Sequence, residues 1–119
     1  MKKKLALIVA VLMVVAFSSA AYSATMGQRN ALLSAKNYLN FMAFSYQGLI
    51  RQLEFEGYSY EEAAFGASNS GADWNEQAVK SAKNYLNFMA FSRSGLIEQL
   101  EFEGFTHEEA VYGVKGVGY

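Results

Sequence analysis

Past residue 24 the apolar side chains recur with helical spacing. Ala31, Ala35, Tyr38, Leu39 and Met42 fall at i, i+4, i+7, i+8 and i+11, one face of a helix. Leu49, Ile50 and Leu53 mark a second helix, and Ala63 and Phe65 give a third, short one something to bury. The polar positions supply the punctuation. Thr25-Met26-Gly27-Gln28 and Ser59-Tyr60-Glu61-Glu62 have the capping-box form, Ser45 is placed to cap the second helix, and Gly57 to end it at positive φ. No stretch in this region alternates over a strand length, so the pattern predicts an all-α chain.

The same pattern then returns. Ser34–Gly66 and Ser81–Gly113 lie 47 positions apart and agree at 25 of 33 positions. Ala78, Ala82, Tyr85, Leu86 and Met89 repeat the first face, Leu96, Ile97 and Leu100 the second, and Ala110 and Tyr112 the third. Asp73, Ser92 and Thr106 supply the caps and Gly104 the stop. The expected organisation is therefore two tandem three-helix repeats, each containing a helix-turn-helix, over residues 25–68 and 73–119 with a linker at 69–72. A unit of this size is near the lower limit for independent folding, so docking between copies is the expected stabiliser. Trp74 stands where the first copy has Gly27 and is expected to pack at the junction. The glycine-rich tail Val114–Tyr119 is expected to fray.

The first 24 residues follow a different logic. Three lysines, the uncharged apolar run Leu5–Phe17 and the small residues Ser18–Ala24 form a secretory signal peptide or, if uncleaved, a membrane anchor. The run is 13 residues, short of the roughly 20 of a spanning helix. Either way the repeats are expected outside the cytoplasm, with membrane association through this segment if it is retained. Without it the chain keeps 7 basic and 11 acidic side chains, a net of −4. That balance, and export, argue against nucleic acid as a partner. The chain has no cysteine, so disulfides, thiol chemistry and lipidation of an N-terminal Cys are excluded.

Candidate chemistry is sparse, and no catalytic residue, metal site or cofactor is expected. His107, the single histidine, has no partners placed by spacing and reads as an exposed polar residue. Glu54, Glu56, Glu61 and Glu62 cluster around one turn, and Glu101, Glu103, Glu108 and Glu109 repeat the cluster. Paired carboxylates can run glycoside hydrolysis, but two three-helix units offer no sugar-sized cleft. The calcium-loop spacing of Asp and Asn around a central Gly is absent. Helix-end preference explains much of each cluster. What remains is an acidic docking surface for a protein, with Phe55 and Phe102 beside it.

The repeat pattern, A-x-x-Y-L-x-x-M-A-F-S-x-x-G-L-I-x-Q-L-x-x-E-G-F/Y-[ST]-x-E-x-A over Ala35–Ala63 and Ala82–Ala110, resembles the Ltp family of host cell-surface-exposed lipoproteins. The Asp73–Val79 segment between the copies is also similar to that family. The resemblance implies small helix-turn-helix-containing units on a prophage-encoded surface protein of Gram-positive bacteria. Such proteins mediate superinfection exclusion: the incoming phage adsorbs, but its DNA is not injected, through engagement of the phage tape measure protein. The family's lipobox cysteine is missing here, which leaves release or a tether through Leu5–Ala21 as the alternatives. A host-envelope interaction or structural role with no phage connection is the second functional expectation.

Overall fold

The computed structural model describes residues 23–119; the N-terminal signal or anchor reading falls on residues 1–24 and so lies almost entirely outside them. Among the described residues six helices and no strands are present. They are α1 (Met26–Phe41), α2 (Tyr46–Phe55), α3 (Tyr60–Asn69), α4 (Trp74–Phe88), α5 (Arg93–Glu103) and α6 (His107–Gly116). None of them is long and apolar enough to cross a membrane.

Helix boundaries follow the caps. At the start of α1 the Gln28 amide donates to Thr25 Oγ1 at 3.1 Å while Gln28 Oε1 accepts from the Thr25 amide at 2.9 Å. Ser59 with Glu62 and Thr106 with Glu109 make the same reciprocal pairs at α3 and α6. Asp73 Oδ1 accepts from the amides of Asn75 and Glu76 at α4. Each such cap satisfies amide donors that a helix start leaves unpaired, for about 1 kcal/mol. Gly57 and Gly104, at φ 105° and 110°, take the chain out of α2 and α5 through the left-handed region that a Cβ disfavours.

Each repeat closes its own core. In the first, Leu49, Ile50 and Leu53 of α2 are buried against Ala35 of α1 and Ala63 and Ala67 of α3. In the second, Leu96, Ile97 and Leu100 of α5 meet Ala78 and Ala82 of α4, Ala110 and Val114 of α6, and Phe105. Each of these large side chains contributes about 1.5–3 kcal/mol by leaving water. The outer helices of a repeat cross at very short range. A Cβ on Gly66 of α3 would stand 2.8 Å from the Ala31 backbone of α1, and one on Gly113 of α6 would stand 2.8 Å from the Ala78 carbonyl of α4.

Three expectations are corrected. Met42 and Met89 do not join the buried face: each is a C-cap with extended backbone, so its side chain leaves the helix and is 57% and 60% exposed, respectively. Tyr112 is exposed, its hydroxyl donating to Glu76 Oε1 at 3.1 Å. The tail does not fray. Val114 is in the core, the Tyr119 amide bonds the Val114 carbonyl at 3.0 Å, and the Tyr119 hydroxyl donates to the Phe91 carbonyl.

Candidate functional site: the cleft between the repeats

The two repeats touch through the α1–α2 loop and α2 of the first and the start of α4 and end of α5 in the second. Ser45 Oγ and Arg51 Nη2 both donate to the Glu103 main-chain carbonyl, at 2.8 and 2.9 Å. The Phe44 amide donates to Gln77 Oε1 at 3.0 Å. Trp74 packs against the first core, with its ring edge-on to Tyr46 at 5.5 Å, so it does sit at the junction. These contacts account for a difference between equivalent residues. Ser45 and Ser92 both cap their helices, but Ser45 is 2% exposed and Ser92 is open to solvent.

Above these contacts lies a cleft. A cavity of about 430 Å³ is walled by Phe44, Gly48 and Phe55 from the first repeat and Tyr85, Phe102 and Glu103 from the second. A second cavity of about 210 Å³ continues it between Phe41 and Met42 on one side and Tyr85, Phe88 and Glu103 on the other. Glu103 and Tyr85 belong to both. The rings of Phe41, Phe55, Phe88 and Phe102 are 84–88% exposed around this region. Such a concentration of large apolar side chains in water marks an interaction surface rather than a core.

Glu103 sets the electrostatics. Its Oε2 is shielded from solvent and has no hydrogen-bond partner among the described residues. Burial pushes this carboxyl above its ordinary range, and the Tyr85 hydroxyl against it acts in the opposite sense. The Tyr85 phenol is itself raised, chiefly by burial, while a hydrogen bond from Gln99 Nε2 at 3.1 Å works to lower it. Tyr112, out on the surface, is raised by its bond to the Glu76 carboxylate.

The remaining predicted residues have different fates. Phe55 and Phe102 come together on one cavity. Glu62 and Glu109 are held in capping boxes. Glu54, Glu61 and Glu108 point to solvent, as does Glu56, beside Tyr38 and Phe41 on a separate 280 Å³ depression. Glu101 pairs with the exposed His107, Nδ1 to Oε1 at 2.6 Å. The glutamates thus do not form one site, and no group of them among the described residues could hold a metal ion. Tyr85, Phe41 and Phe88 were missed.

Among the described residues the chain is an all-helical tandem repeat with a cleft between the copies, rimmed by exposed aromatic rings as an interaction surface is. The chain belongs to the family of host cell surface-exposed lipoproteins, whose model matches residues 27–69 and 73–117, one copy each. It is similar to the solved structure of Ltp, a superinfection exclusion protein from the Streptococcus thermophilus temperate phage TP-J34, with 35% identity and a TM-score of 0.73. That match covers 78% of this chain and 97% of the other. No curated protein matches significantly. Neither the family nor that relative is described as an enzyme.

Proposed function

We propose that the protein is an exported, non-enzymatic binding protein that stands at the outer face of the cell membrane and blocks entry of phage DNA. The observation that carries this reading is the likeness, at 35% identity over 97% of its chain, to a superinfection exclusion protein. The cleft and its exposed phenylalanines supply a binding surface of the right kind, and a phage tape measure protein is the proposed partner. With no cysteine to acylate, the position at the membrane rests on retention of the apolar Leu5–Ala21 segment.

The test is expression in a phage-sensitive host, with adsorption and DNA entry measured separately. The expected result is normal adsorption with DNA entry suppressed, and a membrane-fraction protein whose N-terminus still carries the apolar run. Unchanged DNA entry with the protein present at the surface would overturn the reading in favour of a host-envelope role.

A further inference from the structure

Each repeat carries the same trio, a tyrosine, a phenylalanine one turn on, and a glutamate at the end of the next helix. In the first repeat Tyr38, Phe41 and Glu56 surround an open depression. In the second, Tyr85, Phe88 and Glu103 are roofed by Phe41 and Met42 of the first. The tandem arrangement thereby converts an exposed carboxylate into one with a shielded oxygen that has no hydrogen-bond partner among the described residues. The Tyr85 hydroxyl meets this carboxyl, but one neutral donor leaves a part-buried carboxylate costly, and a cation would offset that cost. Arg51 lines the same cavity, but its bond goes to the Glu103 main-chain carbonyl and it makes no ion pair with the Glu103 carboxylate.

We propose that the cleft between the repeats receives a lysine or arginine side chain carried on an apolar segment of a partner protein, with Glu103 as its counter-ion. Tyr85 and Phe44 present rings to the same space, which suits an organic cation through its attraction to aromatic faces. A hard metal ion would want several oxygens, and the cleft has one carboxylate. Phe55 and Phe102 at the rim specify the rest of the occupant: a free amino acid leaves these rings in water, whereas leucine-like neighbours of the basic residue cover them. The upward shift of the Glu103 carboxyl is the expected mark of a site whose charge is satisfied only when occupied. This inference rests on the binding-protein reading above and names the chemistry of its partner.

The experiment uses the full chain and fluorescein-labelled Leu-Leu-Xaa-Leu-Leu peptides with lysine, norleucine or glutamate at the centre, followed by fluorescence anisotropy. The lysine peptide is expected to bind about tenfold more tightly than the norleucine peptide, as a charge-assisted contact predicts. Glu103→Gln should abolish that preference and leave norleucine binding unchanged. Glu56→Gln should leave the preference intact. The double variant Phe55→Ser/Phe102→Ser, which changes only exposed rings, should weaken both peptides. Equal affinity for the lysine and norleucine peptides, a preference that survives Glu103→Gln, or full binding by the double serine variant would each overturn the proposal. Phage entry separates the two readings. If the native chain excludes phage and Glu103→Gln excludes it equally well, the cleft is not the working surface. If the native chain fails to exclude phage but discriminates the peptides, the phage reading fails and the cationic site stands.

Discussion

At the α1–α3 and α4–α6 crossings one helix backbone lies directly against another, which makes Gly113→Ala the most exacting test of the packing. The new methyl carbon would stand 2.8 Å from the Ala78 carbonyl oxygen, about 0.6 Å inside the 3.4 Å where ordinary contact begins. The Ala78 carbonyl carbon and Cβ are equally close, at 2.9 Å, so the obstacle is the α4 main chain and no side chain can swing away. Over-packing costs about 1–3 kcal/mol, and a backbone obstacle puts this case near the upper end. Alanine recovers about 1 kcal/mol of helix propensity over glycine. The net expectation is a loss of about 2 kcal/mol. For a folded part of this size that corresponds to a fall in Tm of about 10 °C, read by far-UV circular dichroism.

Gly66→Ala should behave the same way against Ala31 of α1, and the two losses should add because the cores share no residue. Gly57→Ala is the contrast. Nothing lies within 4 Å of its Cβ position, and the φ of 105° alone should cost about 1–2 kcal/mol. A Gly113→Ala protein as stable as the native chain would show that α4 and α6 are not in close backbone contact and would refute the reasoning.

Leu100→Ala removes a fully buried side chain from the second core and should cost about 2–5 kcal/mol in denaturant unfolding. Thr106→Ala, which breaks the capping box of α6, should cost about 1 kcal/mol in the same assay. Burial raises the folded-state pKa of Glu103, so the native state holds its proton longer than the unfolded chain and stability falls as pH rises through and just above the ordinary carboxyl range. Glu103→Gln should therefore raise Tm at neutral pH, with the gain vanishing in acid below the ordinary carboxyl range; a gain that persists there would contradict the burial of this carboxyl. Arg51→Glu should remove the bond to the Glu103 carbonyl, about 1 kcal/mol, and loosen the repeats without loss of helicity, seen by small-angle scattering and circular dichroism together.

Helix number, caps and most of the core faces are legible in the sequence because local chemistry decides them. Thr25, Ser59 and Thr106 cap where their spacing to Gln28, Glu62 and Glu109 says they should. The aliphatic triplets Leu49, Ile50, Leu53 and Leu96, Ile97, Leu100 are buried as periodicity requires. Met42 and Met89 escaped because periodicity does not report where a helix stops. The tail was misread because a glycine-rich composition says nothing of Tyr119 reaching Phe91. The cleft was the least legible part. Glu56 and Glu103 both stand in the hexapeptide Q-L-E-F-E-G, yet one is exposed and the other, against the neighbouring repeat, has a shielded oxygen.

That asymmetry extends to the residues that differ between the copies. Tyr46, Gln47 and Arg51 are three of the eight differing positions, replaced in the second copy by Arg93, Ser94 and Glu98. All three lie at the junction. Tyr46 meets Trp74, Arg51 bonds Glu103, and Gln47 Cβ lies 3.0 Å from where a Cβ on Gly104 would be. The matching face of the second repeat is exposed and carries a charge reversed at Glu98. The complementary face of the first repeat has Gly27 in place of Trp74, with the Glu62 carboxylate filling the space that a side chain there would need. A stack of identical repeats would present a receiving face at one end and an inserting face at the other and could extend itself. Here, among the described residues, the receiving face exists once and the inserting face once, and the contact that shields Glu103 joins the two repeats of one chain.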